Sequence, residues 1–394
     1  MTASTVPSHH ETSPPVSWFE LFFDLVVVAA VNVTNDRYLE HPSTGTALIA
    51  ILGLISLCWV WFLTTVSNNL FTESGLLRRG LILVQMAALI LAALAVDYAD
   101  PARMGRGLAV YGVALGVSAA LLLRGNGDWR PTSLRRPATL TAIAAGVCII
   151  VGVIGPEPLW PYLVGALALS AAPLLIADRS APTPPFVARP DHMRERLGLI
   201  VLIVLGDGFL LLVQALGTKG SIPNLGVFAM TFVMSVSIWA LYFEGTFSSR
   251  TNVAAMRWRL TLLGHLALLF GMLGTLDCLV LFTAREQDRL GEQTITYFAV
   301  CIGVVLVSFS VLGFTARGRW GTASWVQLAS GLVLAAAGLA VTPETDIPVY
   351  SAMIAVGIVV LANAVLAARL DRRSESGGVL PPRSPGAAAL SPTG

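Results

Sequence analysis

Charged side chains are scarce in this chain. Asp, Glu, Lys and Arg make up only 12% of its 394 residues, and lysine occurs once, as Lys219. Soluble domains carry about 25% charged residues, whereas here 55% of residues are hydrophobic and the mean hydropathy is +0.74. This balance excludes a soluble globular domain and predicts an integral membrane protein whose main partner is the lipid bilayer. The net charge of +2 gives no reason to expect nucleic-acid binding.

Paired cysteines and the common catalytic motifs are also missing. The four cysteines lie in apolar runs without paired spacing or neighbouring histidines, so we expect neither disulfides nor a zinc site: Cys58, Cys148, Cys278 and Cys301. The chain has no His-Glu-x-x-His, no Gly-x-x-x-x-Gly-Lys-Ser/Thr, no Gly-x-Ser-x-Gly and no Asp-Asp-x-x-Asp. These absences disfavour ATP-driven transport and metal-dependent prenyl transfer, and no metal or cofactor is predicted.

Long hydrophobic runs dominate the remainder of the chain. A bilayer core of about 30 Å needs about 20 apolar residues per helix, and such windows predict an all-α bundle of twelve transmembrane helices. They lie near 16–34, 45–67, 77–97, 104–123, 137–155, 158–177, 195–217, 222–244, 258–283, 293–315, 321–341 and 348–370. With twelve spans, most of the 25 basic residues fall in segments on the same side of the membrane as the N-terminus. This asymmetry predicts a multi-pass protein of the plasma (inner) membrane with both termini cytoplasmic.

Composition divides the chain into five segments. The two ends of the chain are rich in Pro, Ser and small residues and are predicted to be disordered and cytoplasmic. A Pro-rich stretch between two six-helix units is predicted to be a cytoplasmic linker. The segments are 1–15 (N-terminus), 16–177 (first six helices), 178–194 (linker), 195–370 (second six helices) and 371–394 (tail).

The two six-helix units resemble each other. Glu20 and Asn32 have the same spacing as Glu195 and Asp207, and an offset of about 180 residues relates further polar positions in otherwise apolar helices. Six helices is an even number, so the units are predicted to be parallel repeats, as in transporters whose substrate site lies between the halves.

The first helix carries two carboxylates. Glu20 and Asp24 are four residues apart and share one helix face at about 6 Å. A carboxylate near mid-bilayer costs roughly 3 kcal/mol, which makes it a functional candidate. As a coupled pair, the two acids could hold or relay a proton. Alternatively, Glu20 lies at the cytoplasmic interface and forms an ion pair that fixes helix register; the candidate partners are Arg79, Arg196 and Arg259.

Three more polar residues complete the predicted substrate or proton site. Asp207 lies near the middle of its helix between two glycines, and it could be functional or simply bonded to Asn32 or Asn35 of the first helix. His265 could shuttle protons or be a neutral core histidine.

The remaining polar and aromatic residues of the helices are given structural or interfacial roles. Glu195 and Glu244 join the predicted structural ion pairs, with Arg259 as a partner for Glu244. Asp97 and Asp277 are expected to be solvated at the outer surface. The tryptophans near the ends of the predicted spans are expected to lie at the membrane–water interface as an aromatic belt: Trp18, Trp59, Trp61, Trp239, Trp258 and Trp320.

Three motifs resemble the bacterial low temperature requirement A family. They are Trp18-Phe-Glu-Leu-Phe-Phe-Asp-Leu25, then His192-Met-Arg-Glu-Arg-Leu-Gly198 followed by Leu205-Gly-Asp207, and Gly264-His265. Where Asp207 stands, the family usually has Glu. The resemblance implies a polytopic membrane protein linked to growth in the cold, without implying a defined biochemical activity.

These observations leave three functions open. The favoured one is transporter-like handling of ions, protons or a small solute by the intramembrane carboxylates. The second is a metal-independent acid/base enzyme on a lipid or isoprenoid, with Asp24 and Asp207 as catalytic groups. The third is a structural or sensory membrane protein. The sequence names neither the substrate nor the oligomeric state.

Overall fold

The computed structural model describes most of the chain between residues 16 and 376. The described ranges are 16–40, 44–71, 75–97, 100–124, 132–155, 157–176, 189–217, 225–246, 257–284, 292–341 and 349–376. The predicted N-terminal segment 1–15, most of the predicted linker and residues 377–394 of the predicted tail lie outside these ranges.

The described residues form an all-α structure. Its twelve α-helices are α1 (Trp18–Glu40), α2 (Thr44–Leu70), α3 (Leu76–Leu94), α4 (Pro101–Leu123), α5 (Thr132–Ile154), α6 (Trp160–Ile176), α7 (Pro190–Gly217), α8 (Leu225–Ala240), α9 (Trp258–Ala284), α10 (Glu292–Arg317), α11 (Thr322–Leu339) and α12 (Val349–Ser376). Of these, 11 are long and apolar enough to cross a membrane, and α6 is a shorter apolar helix. The expectation of a helical multi-span membrane protein is therefore confirmed.

Several helix ends differ from the predicted ones, including those of α7, α8 and α12. Helix α7 begins at Pro190, five residues earlier than predicted, since Pro is well suited to a first helical position. Helix α8 ends in a π-helical turn, Leu241–Thr246. Helix α12 continues to Ser376, beyond the predicted end at 370.

Helix α1 is central to the packing. It contacts α2, α3, α7 and α9, and α2 in turn contacts α7 and α9. Four helices from both halves of the chain therefore meet around α1, which carries the polar residues singled out above.

Glycines bring two helix pairs into backbone contact. A Cβ on Gly152 of α5 would collide with the backbone of α4, and a Cβ on Gly331 of α11 would lie 2.7 Å from the carbonyl oxygen of Gly303 in α10. Small residues permit such close approach in membranes, where close packing drives helix association.

The buried core contains tryptophans that were predicted to form the interfacial belt. Trp59, Trp61 and Trp258 are each 3% exposed or less, so the belt prediction is wrong for them. Trp18 is 87% exposed and agrees with it. The sequence distance of a tryptophan from a span end does not reveal which face of the helix carries it. All four cysteines are buried and free.

Candidate functional site

The first turn of α1 is fixed by a capping box. The Ser17 backbone N–H and hydroxyl donate to Glu20 Oε2 at 2.9 and 3.0 Å, and the Glu20 N–H donates to Ser17 Oγ at 3.3 Å. Ser-x-x-Glu is the pattern that begins helices in this way. Glu20 Oε2 also lies 3.6 Å from Nε2 of the buried His192 on α7. Glu20 therefore sets the start of α1 and joins it to α7.

Asp24 forms a fully buried ion pair with α7. Arg196 Nη2 and Trp61 Nε1 each donate to Asp24 Oδ1 at 2.6 Å, and the Asp24 and Arg196 side chains are both 0% exposed. Arg196 Nη2 also approaches Thr65 Oγ1 of α2 at 3.3 Å. A cation from a distant part of the chain thus neutralises the acid. Arg196, for which Glu20 was the expected partner, pairs with Asp24 instead.

Several polar atoms of this cluster have unused hydrogen-bonding capacity. Among the described residues, no hydrogen-bond partner is present for Asp24 Oδ2, Arg196 Nε and Nη1, or His192 Nδ1. Leaving a buried polar group unpaired costs about 1–3 kcal/mol, and more when it is charged. Such groups have the capacity to hydrogen-bond water or a small polar ligand.

A clamp between α2 and the start of α7 orients this cluster. The Asn69 side chain donates to the Arg189 carbonyl at 2.7 Å and accepts from the Arg189 N–H at 3.0 Å. The Arg189 guanidinium in turn donates to the backbone carbonyls of Asn68 and Asn69, at 2.8 Å for Asn69. Arginine near a helix C-terminus satisfies carbonyls that lack partners within the helix. The clamp fixes α7 one turn before His192 and two turns before Arg196.

Deeper along α1, Asn32 meets Asp207. The Asn32 amide donates to Asp207 Oδ2, and both side chains are half-buried. Asn32 is about 12 Å beyond Asp24 along the helix axis. Asp207 therefore pairs with Asn32, one of its two predicted structural partners. Because Asp207 is only half-buried, part of its side chain remains accessible.

Asp277 of α9 belongs to the same region. It is 4% exposed, its Oδ2 has no hydrogen-bond partner among the described residues, and Asp36 and Asp207 are acidic neighbours that interact with it electrostatically. The expectation that Asp277 is solvated at the surface is therefore wrong. Asp97, by contrast, is partly exposed and forms an ion pair with Arg103 at 3.1 Å. Asn35 on α1 is also buried with no hydrogen-bond partner for its amide among the described residues.

His265 lies apart from both carboxylate clusters in its contacts. Its Nδ1 is 2.7 Å from the Thr261 carbonyl and its Nε2 is 2.9 Å from the Tyr242 hydroxyl. Because a carbonyl only accepts, Nδ1 carries the proton and Nε2 accepts from Tyr242. The π-helical turn that ends α8 supplies Tyr242. Of the two roles considered for His265, a proton shuttle and a neutral core histidine, this geometry fits the neutral core histidine.

The other residues predicted to form ion pairs lie outside these clusters. Arg79, Glu195 and Glu244 are exposed, and Arg259 is half-buried in the first turn of α9. No group of three or more His, Cys, Asp or Glu side chains within the described residues could hold a metal ion.

The sequence does not indicate the contacts that Trp61, His192 and Asp277 make at this site. The capping box at Ser17 and Glu20 was readable from the sequence, and the His192 motif had been noted without a role. Nothing in the local sequence indicates that Trp61 points at Asp24, because that contact joins two helices.

Comparison with known proteins gives one family and one relative. A family model described as Bacterial low temperature requirement A protein (LtrA) matches residues 15–365. A protein of Rhizobium meliloti (strain 1021), named uncharacterized protein RA0937, is 30% identical over 250 residues. That match spans 58% of this chain and 58% of the relative.

Proposed function

The chain belongs to the bacterial low temperature requirement A (LtrA) family of membrane proteins, and we propose that it carries protons or a small polar or cationic solute. The groups that do so are Asp207 of α7 and Asp277 of α9, and the family name leads us to connect this activity to growth in the cold. The plasma membrane, with both termini cytoplasmic, is the proposed location.

The observation that carries the proposal is the set of buried and half-buried acids around α1, of which Asp24 and Asp277 each have a carboxylate oxygen without a hydrogen-bond partner among the described residues. They lie at two depths, with Asp24 beside Arg196 and His192, and Asp207 beside Asn32 with Asp277 close by. Glu20 and Asp36 lie towards the two ends of α1 and are about 24 Å apart along its axis. This distance is most of the thickness of a hydrocarbon core of about 30 Å. Intramembrane acids in such positions commonly form proton or ion pathways.

The proposed site lies where the two halves of the chain meet. Helices α1 and α7 begin the two halves and contact each other, and α3, α4 and α5 pack in succession as α9, α10 and α11 do. This matching supports two parallel six-helix repeats. In transporters with such repeats, the substrate binds near the bilayer midplane between the repeats.

Repulsion between the carboxylates of Asp207 and Asp277 favours the binding of a cation. Asp207 and Asp277 both carry potential negative charge in a medium of low dielectric constant, where like charges at short range repel strongly. A proton or a small cation between them relieves that repulsion. The Asp24–Arg196 pair is internally neutral and, in this proposal, holds α1 against α7 while the deeper acids exchange their ligand.

The experiment is proton flux into vesicles containing the purified protein. A pH gradient is imposed, a potassium gradient with valinomycin balances charge, and a trapped pH-sensitive dye reports the internal pH. We expect the wild type to raise the flux above that of empty vesicles, and Asp207→Asn and Asp277→Asn to abolish the increase because neither amide can bind a proton. The same vesicles with sodium or a quaternary ammonium ion outside test cations other than the proton.

Asp100→Asn is the matched control. Asp100 caps α4 by accepting from the Arg103 N–H at 3.0 Å, and Asn caps helices about as well as Asp, so this variant should retain full flux. Equal flux in all variants would refute the proposal. Normal growth of cold-grown cells with folded Asp24→Asn, Asp207→Asn protein would favour a structural role for the acids.

A further inference from the structure

A partly open apolar cavity of about 230 Å³ lies within the first half of the chain. It is enclosed by α1, α2, α3, α4 and the start of α6, and its lining is mostly apolar. An apolar cavity of about 150 Å³ stays dry and takes up apolar molecules. This cavity is larger, so hydrocarbon rather than water is its expected content.

The cavity runs along the helices from one membrane face toward the middle. On α2 it extends from Ile49 to Leu57, which is about 12 Å of helix. One leaflet of the hydrocarbon core is about 15 Å deep. At the inner end, the buried Tyr111 hydroxyl lies near Ser56, whose own hydroxyl donates to the Leu52 carbonyl at 2.6 Å. The cavity thus has the depth of a lipid chain within one leaflet.

Glu157 lines the open end of the cavity, and two arginines lie near the lining residues of α4 in the sequence. Glu157 and Trp160 are exposed there, and tryptophan favours the membrane–water interface. Arg103 stands one turn before the lining residue Gly107 and binds Asp97 at 3.1 Å and the Leu94 carbonyl at 2.9 Å. Arg106, next to Gly107, is 71% exposed and lies 4.0 Å from Asp100. Exposed ion pairs of this kind contribute about 0–1 kcal/mol, so they can rearrange around another charged group.

We propose that this cavity holds one acyl chain of a membrane phospholipid whose phosphate lies beside Arg103 and Arg106. The helices around the cavity face the bilayer with residues such as Leu91, which is 55% exposed, so lipid is the apolar molecule present at high concentration. Basic groups at the interface are typical partners of lipid head groups. None of the carboxylates assigned to the proposed ion pathway lines the cavity, so the lipid site is independent of that function.

The test is photolabelling of the purified protein in nanodiscs. A phosphatidylcholine with a diazirine on one acyl chain is incorporated, activated by light, and located by mass spectrometry of peptides. We expect labelling of α2, α3 and α4 at cavity residues such as Leu52 and Ala93. Ala93→Phe fills the cavity and should reduce this labelling about tenfold, equivalent to about 1.4 kcal/mol. Leu52→Trp is a second filling variant in case Ala93→Phe fails to fold.

Two controls separate the proposal from its rivals. Ala87 is exposed on the same helix, so Ala87→Phe should label as the wild type does. The double variant Arg103→Gln, Arg106→Gln should weaken phospholipid labelling severalfold while leaving labelling by an uncharged diazirine fatty alcohol unchanged. Undiminished labelling in both folded cavity-filling variants, or cavity labelling by a diazirine polyprenol or fatty acid but not by phosphatidylcholine, would overturn the proposal.

Discussion

Replacing Arg196 with leucine should destabilise this protein more than almost any other single exchange of a charged residue. The guanidinium donates to Asp24 Oδ1 at 2.6 Å, and both side chains are fully buried. After Arg196→Leu, Trp61 is the remaining donor seen at Asp24, and a buried carboxylate is left without its counter-charge. Removing one partner of a buried ion pair costs about 3–5 kcal/mol.

Removing both charges should recover most of that loss. In the double variant Asp24→Leu, Arg196→Leu, two apolar side chains of similar size replace the pair, and such replacements are often neutral or stabilising. The assay is unfolding in mixed micelles with increasing dodecyl sulfate, followed by circular dichroism, for the wild type, both single variants and the double variant. The resulting double-mutant cycle isolates the coupling between the two residues.

Arg194→Leu is the control on the same helix. Arg194 is partly exposed and lies 3.8 Å from the exposed Asp191, and surface pairs contribute about 0–1 kcal/mol. A loss below about 1 kcal/mol for Arg196→Leu, or a double variant no more stable than either single one, would refute the buried ion pair.

Three further substitutions test other contacts. Tyr242→Phe removes the 2.9 Å hydrogen bond to His265 and should lower the unfolding free energy in mixed micelles by about 1 kcal/mol. Gly152→Val places a side chain against the α4 backbone and should cost about 1–3 kcal/mol in the same assay, or prevent folding. Asn69→Ala breaks the clamp on Arg189 and should speed amide hydrogen exchange in the first turn of α7.

Each of these has an outcome that contradicts it. An unchanged stability of Tyr242→Phe would mean that the hydroxyl is not needed at His265. A Cβ on Gly146 meets no atom within 4 Å, so Gly146→Val should be tolerated, and equal losses at the two glycines would argue against close α4–α5 packing. Unaltered exchange in α7 after Asn69→Ala would show that the clamp does not order its start.

The membrane architecture could be predicted because hydrophobicity over about 20 residues is a local property. Eleven of the described helices are long and apolar enough to cross a membrane. Helix α6 is shorter, 17 residues, and therefore lies at the margin of the length criterion. Turn geometry could not be predicted in the same way, and the π-helical turn after α8 has no simple sequence signature.

The acids could be identified from the sequence, but their partners could not. Glu20, Asp24 and Asp207 stand out because charge is rare in apolar helices. Their contacts join residues far apart in the chain: Asp24 with Trp61 and Arg196, and Asp207 with Asn32. Such contacts depend on helix rotation and packing, which the hydropathy pattern does not determine. Asp277 shows the consequence, since its position near a helix end suggested solvent exposure while packing buries it.

In the proposed function, Asp207 and Asp277 bind and release a proton or a small cation. Infrared difference spectroscopy of the protein in nanodiscs measures this directly, because the carboxyl C=O band appears when an acid is protonated. We predict a band that changes between acidic and alkaline buffer and is lost in Asp207→Asn or Asp277→Asn but kept in Asp100→Asn. A band that is the same in all these proteins, or one that responds to neither pH nor added cations, would contradict the account.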